Sequence, residues 1–544
     1  MTLSDNARRQ PNQAALARRR PDSRGGVEVP DAPASNRAVL RNNSAVLRVV
    51  AAAAFIIYAS AVLVLRQQDG NSFCCERIGL AAALSHAVYQ APLGKVYPEI
   101  QTQLNDTQAP VEALLDRAAH LVPPPDKPTT AINDGNGIGF ILVANWAIHL
   151  FGPHLSSLPL FMLVLMAFSA ATFLWRFQDE RSAVVTTTFF SLTLMLCTPL
   201  AWDPVIASQI PIGGIRYYSL LAVVPAFHVV LELADQDGQA DEARPLHLIL
   251  LGVQVIILVI SVLVRGSAAY VAGPILLVGV AKAWRNRHDC HELHVLRREA
   301  IVIALVSVSF IGSLLLALPK DFIREGRLAT TTEFWHRAVV SLGINPAWPF
   351  GNLREIYDCK SGNIPEGLIA APVDRNGHCI WWSYLTTHNI PTAGALAEMY
   401  GSRYEAAQRG AFFNIARLYP HETLATFFYY KPKWFANSLA FLTLNPSLPS
   451  DIVRLLVIGG FLNFLGLFII ASGLPTGYLM LFLTGLGAIF GISCIPTYLV
   501  AWATPHTMAD VLFYCLFCTG LGTCAALQGV RAAIRRSFAR PARP

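Results

Sequence analysis

Residues 134–152 read DGNGIGFILVANWAIHLFG and place a carboxylate, Asp134, directly before an apolar stretch. Residues 137–152 are apolar at almost every position and predict a short helix that crosses a membrane. Since a bilayer is crossed by roughly 17 to 25 mostly apolar residues, this helix is at the lower limit of length. The stretch therefore predicts a short transmembrane helix with an acidic residue just before its N-terminal end.

The composition of the whole chain extends this prediction to a bundle of such helices. Of 544 residues, 53% are hydrophobic and only 14% are charged, whereas an average soluble domain carries about 25% charged residues. The low charge and the recurring apolar runs predict an all-α polytopic membrane protein with about eleven (ten to twelve) transmembrane helices. The candidate spans are 49–65, 137–152, 158–175, 183–201, 217–233, 248–264, 267–283, 300–318, 455–471, 478–495 and 511–527.

Basic residues are concentrated at both ends of the chain. Residues 1–45 are polar, rich in arginine and poor in aromatics, which predicts a disordered cytoplasmic tail and not a signal peptide. Residues 531–544 form a second basic tail, and basic ends indicate the cytoplasmic side of a membrane. Neither tail combines its charge with interleaved aromatics or a folded module, so no nucleic-acid partner is predicted.

Two long polar interruptions divide the chain. Residues 46–318 form a predicted transmembrane module that includes a first periplasmic loop, 66–136, and residues 451–530 form the C-terminal transmembrane helices. Apolar residues at helical spacing in the first loop predict amphipathic helices along the membrane surface. The large loop between the two modules, 319–450, is dense in Trp and Tyr, which indicates a partly embedded interfacial layer, with a soluble domain as the alternative.

The charge pattern places both loops outside the membrane, but the number of candidate spans between them is not compatible with that placement. Counting from the basic tails puts 66–136 and 319–450 outside, and the basic segment 284–299 inside. Seven candidate spans lie between the two loops, and an odd number cannot return the chain to the same side. One candidate is therefore half-inserted or one span is missed. The suspects are 137–152 and the stretch 203–216, which Pro and Gly interrupt.

Charged residues at the ends of apolar runs mark candidate sites, because charge near lipid is costly. Asp134, Arg216, Arg265 and Arg324 occupy such positions. Arg265 lies in the turn VLVRGSAAY between two apolar runs, where a planar guanidinium could hold a phosphate or carboxylate through two hydrogen bonds. For Arg176 we expect the simpler behaviour, in which the side chain extends to the membrane interface.

Two carboxylates, Glu76 and Asp134, stand at opposite ends of the first loop. Because the two ends of a loop are held at the ends of neighbouring helices, both carboxylates could converge on one cavity. There they could act as a general base with an orienting partner, or they could bind a divalent cation. A charge favoured by the helix dipole is the alternative for Glu76 alone. No spacing typical of a zinc site occurs, so no metal ligand is assigned.

The second loop offers aromatic side chains beside hydrogen-bonding ones. The stretch EFWHR contains Trp335 and His336, and DRNGHCIWW contains His378 and Trp381. Aromatic faces next to polar groups suit the recognition of a sugar, and they equally suit a protein that lies on lipid headgroups. These four residues are the candidate substrate-binding residues.

Two cysteines of the second loop, Cys359 and Cys379, lie in polar sequence. They could form a disulfide if the loop faces an oxidising compartment. Their oxidation state therefore bears on the side of the membrane to which the loop belongs.

The layout resembles the GT-C superfamily of membrane glycosyltransferases, which includes protein O-mannosyltransferases and aminoarabinose transferases. The resemblance is carried by DGNGIGFILVANWAIHLFG and by CCERIGLAAALSHAVYQAPLGKVYPE, which is similar to the acidic-start helix after the first span in that family. It covers the architecture of most of the chain: a basic tail, one span, an outer loop, further spans and an aromatic outer region.

The resemblance implies transfer of a sugar from a polyprenyl-phosphate carrier to an envelope acceptor at the periplasmic face of the bacterial inner membrane. Glu76 would act on the acceptor and Asp134 would be a second acidic member. Arg265, Arg216 and Arg324 would bind the phosphate of the departing carrier. Expected partners are the lipid-linked donor and membrane lipids; a divalent cation stays open as cofactor.

Two other classes of function remain open from the sequence. A transporter or lipid flippase would place charged residues midway along several spans and would contain internal repeats. A noncatalytic scaffold for envelope assembly would tolerate loss of the acidic residues. The two large outer loops favour an enzyme over either alternative.

Overall fold

The computed structural model describes residues 77–104, 111–122, 127–130, 138–154, 157–176, 218–234, 244–285, 290–318, 334–345, 375–389, 402–433 and 477–500, together with isolated residues at 287, 320 and between 514 and 534. Within these residues the chain is helical almost throughout, as the sequence predicts. A two-stranded sheet is the β structure found in this described part.

The helices are α1 (Arg77–Tyr89), α2 (Pro98–Leu104), α3 (Val111–Ala119), α4 (Ile138–Phe151), α5 (Ser157–Arg176), α6 (Tyr218–Leu221), α7 (Val223–Ala234), α8 (Arg244–Val264), α9 (Ala272–Arg285), α10 (Cys290–Ala317), α11 (Phe334–Val340), α12 (Arg375–Thr387), α13 (Ser402–Leu418), α14 (Pro420–Ala425) and α15 (Gly477–Val500). The 3-10 helices Gly266–Val271 and Ser341–Ile344 follow α8 and α11, and the π-helical turn Thr426–Tyr430 follows α14. Strands β1 (Lys95–Val96) and β2 (Thr129–Thr130) pair antiparallel, with Lys95 opposite Thr130.

Two described helices are long and apolar enough to cross a membrane. They are Pro245–Val264 in α8 and Leu296–Ala317 in α10, and they coincide with the candidate spans 248–264 and 300–318. Only 6% of the apolar window of α10 is buried inside the fold, so this helix turns its apolar side chains outward. Shorter apolar helices occupy four further candidate spans, 137–152, 158–175, 217–233 and 478–495. The described residues thus contain helices of the predicted kind, of which two meet the length of a full crossing.

The first-loop helices are packed more deeply than the sequence predicts. In α1, residues 79–85 are all buried, so α1 is not an amphipathic helix on the membrane surface. Its sequence carries Ala and Leu on every side of the helix, which suits an enclosed position. Helix α3 has the predicted amphipathic pattern, because Leu114, Leu115 and Ala118 are buried while Glu112 is exposed.

Helix α4 lies at the centre of the largest apolar core. Its residues are buried from Ile138 to Ile148 except for the half-buried Trp146, and α1, α5 and α8 pack around it. The helix has only 14 residues. An apolar helix of roughly 10 to 14 residues is typical of a buried core helix or a re-entrant segment. The predicted membrane-spanning helix at 137–152 is therefore a short core helix in this fold.

Both ends of α4 contact the first loop. Near its start, Phe140 contacts Gly79 of α1. Beyond its end, in the connection to α5, His154 Nδ1 lies 2.8 Å from Glu112 Oε1 of α3. Residues of the first loop therefore contact both the start of α4 and the connection that follows its end.

The described part of the second loop is a separate helical cluster. Helices α11, α12 and α13 pack on one another around Trp381 and Tyr404, both completely buried. Helix α11 also contacts α15, one of the apolar helices. The described helices of the second loop therefore form a folded unit that contacts the apolar bundle through α11.

Candidate functional site

Three helix ends that lead to predicted site residues meet at one place in the fold. The start of α1 follows Glu76 by one residue, and the start of α4 follows Asp134 by four residues. The end of α8 precedes Arg265 by one residue. The contacts of Gly79 and Gly139 bring these ends together.

Helices α1 and α4 touch within their first turns. A Cβ added to Gly79 would lie 2.6 Å from Phe140 Cδ1, which is closer than real Cβ contacts allow. Gly79 is the third residue of α1, and Phe140 is the third residue of α4. The absence of a side chain at Gly79 thus lets the two helices begin side by side.

Helices α4 and α8 approach even more closely. A Cβ on Gly139 would overlap the backbone of Leu263 and Val264, so only glycine permits this contact. Gly139 is in the first turn of α4, and Val264 is the last residue of α8. The start of α4 therefore lies directly beside the turn that carries Arg265.

Arg265 occupies the break between α8 and the following 3-10 helix. Its backbone is extended (φ −138°, ψ 105°), its N–H donates to the Ser261 carbonyl at 2.9 Å, and its carbonyl accepts from Ala268 N–H at 2.9 Å. These hydrogen bonds hold the turn in place. Arg265 is half-buried at this end of the bundle.

Four of the predicted site residues lie outside the described residues. These are Glu76, Asp134, Arg216 and Arg324. What the structure describes is the meeting point of the helices that flank Glu76 and Asp134. Their roles, like that of Arg265, stay predictions.

The second-loop candidates form a connected cluster. The Tyr404 hydroxyl and His336 Nδ1 lie 2.7 Å apart, and both side chains are buried. The backbone N–H of Trp335 donates to Glu405 Oε2 at 2.9 Å. Tyr404 and Glu405 are neighbours on α13 that the sequence analysis did not select. Their proximity to the EFWHR stretch depends on the packing of α13 against α11, which no local pattern reveals.

Trp381 is enclosed by aromatic rings. It stacks on Tyr384 with ring centres 5.6 Å apart, and it meets Tyr404 edge-on at 5.4 Å. Its side chain is 0% exposed, and burial of this kind argues against a sugar contact by Trp381 in this conformation. His378 lies in α12 beside it, and only its backbone is described. The indole of Trp335 is half-buried.

Cys379 is disulfide-bonded. The cysteine expected to pair with it, Cys359, lies outside the described residues. A disulfide in the second loop agrees with the condition stated for it, an oxidising compartment. Of the other described cysteines, Cys494 and Cys518 are free thiols.

A second polar cluster lies inside the apolar bundle. Arg176 Nε donates to Glu232 Oε2 at 2.7 Å, and the two side chains are 7% and 6% exposed. The expectation that Arg176 extends to the membrane interface is therefore wrong. Its ion-pair partner is on α7, more than fifty residues away along the chain, and only tertiary packing reveals such a pair.

Buried hydrogen bonds also link α5 to α8. Gln254 Nε2 donates to the Ser169 carbonyl at 2.8 Å and to Thr172 Oγ1 at 2.6 Å, while Ser169 Oγ donates to Gln254 Oε1 at 2.8 Å. These polar groups satisfy one another within an apolar surrounding, as buried polar groups must. Among the described residues no group of three or more His, Cys, Asp or Glu side chains could hold a metal ion.

No protein-family model matches the chain, and no curated protein and no solved structure matches it. The resemblance to the GT-C superfamily therefore stays a prediction.

Proposed function

We propose that the chain is an integral membrane glycosyltransferase of the bacterial inner membrane, which moves a sugar from a polyprenyl-phosphate donor to an envelope acceptor at the periplasmic face. The single observation that carries this proposal is the meeting of the starts of α1 and α4 with the end of α8. Glu76, Asp134 and Arg265 are the residues that these helix ends lead to.

Chain length limits how far the two carboxylates can lie from this meeting point. An extended chain covers at most about 3.6 Å per residue, so Asp134 is within about 15 Å of the start of α4. Glu76 is directly bonded to the first residue of α1. Both carboxylates can therefore reach a common cavity with the Arg265 guanidinium, as the transfer reaction requires.

The two carboxylates and Arg265 suit the two parts of the proposed reaction, which are attack by the acceptor and departure of the phosphate. A carboxylate can accept the proton of the acceptor group as that group attacks the sugar carbon. The bond between sugar and phosphate then breaks, and the guanidinium of Arg265 stabilises the negative charge that develops on the leaving phosphate. Arg216 and Arg324 are proposed as further phosphate contacts. A site at the helix ends would meet a carrier whose phosphate lies at the membrane boundary.

The short length of α4 supports a consistent topology. If 137–152 does not cross the membrane, six of the seven candidate spans remain between the loops, and an even number returns the chain to the outer side. The proposal is then ten transmembrane helices, with Arg265 outside and the basic segment 284–299 inside. The ends of α5 and α7 both fall inside in this count, which agrees with the pairing of Arg176 with Glu232.

The test compares lipid-linked sugars and envelope glycans in cells with the wild-type chain, without it, and with Glu76→Gln or Asp134→Asn. We expect both variants to lose the glycan product and accumulate the lipid-linked donor while the protein remains folded in the membrane. Asp116→Asn, which changes an exposed first-loop carboxylate, serves as the matched control. Full product from both Glu76→Gln and Asp134→Asn would overturn the proposal and leave a noncatalytic scaffold or a transporter.

One observation favours a transporter or flippase as the second candidate. The buried Arg176–Glu232 pair and the Gln254 hydrogen bonds place polar groups inside apolar helices, where they often mark a transport pathway. A transporter predicts an unchanged glycan pattern with Glu76→Gln, whereas the transferase predicts loss of the glycan product. The same glycan analysis therefore separates the two functions.

A further inference from the structure

The outer face of α13 and α14 forms one continuous surface, here called the exposed stripe and defined as the solvent-facing side of residues 402–433. Its exposed positions recur every three or four residues, for example at Arg409, Phe413 and Arg417 on α13. Helical hydrogen bonds continue across the junction with α14: Tyr419 N–H donates to Ile415 and Thr423 N–H to Tyr419. Tyr419 has a non-helical backbone (φ −130°, ψ 62°) between the two helices, and both helices carry exposed residues.

Large apolar side chains make up much of the stripe. Phe413, Leu418, Leu424, Phe428 and Tyr429 are between 54% and 78% exposed, and Phe428 is the most exposed of them. Contiguous exposed apolar side chains on a folded surface mark a site of contact with another apolar body. Five such residues on α13, α14 and the π-helical turn that follows them favour a contact surface over a scatter of isolated residues.

The exposed charge of the stripe is predominantly positive. Arg403, Arg409, Arg417 and Lys433 are exposed, whereas the two acidic residues of this described segment, Glu405 and Glu422, are only half-exposed. Cations that flank apolar side chains along a helix are the pattern of a helix that lies in the headgroup layer of an anionic membrane. A complementary surface must therefore be negative and must accept apolar side chains.

The opposite face of the stripe is anchored in the second-loop fold. Asn345 Nδ2 donates to Thr426 Oγ1 at 3.1 Å, and Phe412 packs edge-on against Phe427 at 6.0 Å. Tyr404 is hydrogen-bonded to His336 in the buried cluster. The row of exposed residues is thus presented by a fixed scaffold, and binding needs little ordering of the helix.

A bilayer surface fits these observations better than a nucleic acid or a protein groove. Leu418, Leu424 and Phe428 have no hydrogen-bonding group that could read a base or a backbone. The same helical unit contacts α15, an apolar helix of the bundle, through α11, so a bilayer around that bundle lies next to the unit. We propose that the exposed stripe lies in the interface of the membrane, with its apolar side chains at the boundary between headgroups and acyl chains and its cations on anionic phospholipid headgroups.

The test uses the full-length protein in nanodiscs of phosphatidylglycerol or of phosphatidylcholine. A photoreactive residue, Phe428→benzoylphenylalanine, is activated, and the adducts are identified by mass spectrometry; Leu424→benzoylphenylalanine is an independent second position. We expect phospholipid adducts at both positions. Thr386→benzoylphenylalanine on α12 is the matched control, because Thr386 is also exposed in the second loop but lies outside the stripe.

The charge contribution is tested in the Phe428 photoreactive chain with Arg409→Gln, Arg417→Gln and Lys433→Gln combined. Each cation near an anionic surface contributes about 1 kcal/mol, which corresponds to about fivefold in binding. We therefore expect the triple variant to give at least about fivefold fewer lipid adducts in anionic nanodiscs. Peptide adducts in place of lipid adducts at 424 and 428, or a lipid yield at 428 no higher than at 386, would overturn the proposal. Equal yields in anionic and neutral nanodiscs would overturn the assignment of anionic headgroups. None of these outcomes depends on glycosyl transfer.

Discussion

Arg176 and Glu232 form an ion pair with an N–O distance of 2.7 Å between α5 and α7, and neither side chain is more than 7% exposed. Two charges at this depth are stable only together, because an unpaired buried charge keeps its full desolvation cost. The pair therefore fixes how the ends of two apolar helices meet.

We expect Glu232→Gln to lower the free energy of unfolding by about 3 kcal/mol, because it leaves the Arg176 charge buried without a carboxylate. The double variant Arg176→Met/Glu232→Leu should be close to wild type, since it removes both charges. Thermal unfolding in nanodiscs measures both effects. Glu112→Gln, in an exposed pair with His154, should change stability little. A Glu232→Gln protein as stable as wild type would contradict the burial of the pair.

The Gly139 contact makes a second prediction. Gly139→Ala places a methyl group against the α8 backbone at Leu263 and Val264, so we expect a loss of about 1 to 3 kcal/mol and a displaced Arg265 turn. Glycan product should fall with it. Gly279→Ala is the control, because a Cβ at Gly279 meets nothing within 4 Å. That change should be neutral or stabilise α9 by up to about 1 kcal/mol. Equal stability of the two variants would argue against the α4–α8 contact.

Lys431 predicts a pH dependence of stability in the second loop. Burial lowers the pKa of Lys431 from its ordinary 10.5 to about 7, although its ammonium lies 3.8 Å from the centre of the Phe427 ring, which favours the charged form. Because the folded-state pKa is below the unfolded-state pKa, burial of the charge destabilises the fold fully below pH 7. The penalty disappears as pH rises from 7 towards 10.5.

The measurement compares the unfolding free energy of wild type and Lys431→Met between pH 6 and pH 10. We expect the methionine variant to be more stable at pH 6 by up to about 4 kcal/mol, with the difference shrinking as pH rises. Lys431→Arg, which stays charged throughout, should remain less stable at every pH. Parallel curves for wild type and Lys431→Met would contradict a lowered pKa at this position.

Arg265 tests the phosphate contact of the proposed transferase. Arg265→Gln should reduce transfer about a hundredfold, as expected when a donor to a developing negative charge is lost. Arg265→Lys keeps the charge without the planar fork and should lose about tenfold. Transfer is followed by release of sugar from the radiolabelled lipid donor in membranes. Arg285→Lys, an exposed change at the end of α9, is the control. Unchanged transfer in Arg265→Gln would remove Arg265 from the site.

The apolar windows of the sequence predicted the helical class and the positions of α8 and α10 well, because a long apolar run without charge has few other stable conformations. They did not predict that residues 137–152 form a core helix. An apolar residue gains the same burial against protein as against lipid, so composition alone does not distinguish α4 from a crossing helix. The length of α4, 14 residues, and its burial are what favour a core helix.

For the candidate site, the sequence predicted individual residues but not how they pack. Arg265 was selected from its place in a turn, and the structure puts that turn beside the start of α4. The aromatic residues of the second loop were selected as a group, and three of them, Trp335, His336 and Trp381, do lie in one helical cluster. Their burial around Tyr404 could not be read from the sequence, because it depends on a helix that lies twenty residues or more further along the chain.

The sequence by itself determined the helical class, the apolar character of the helices and the basic tails, since these follow from side-chain transfer energies and local spacing. Only the tertiary structure decided which charges pair, which aromatic rings are enclosed and which helix ends meet. Those contacts join residues far apart in the chain, and their energies depend on distances of a few ångströms that no local pattern encodes.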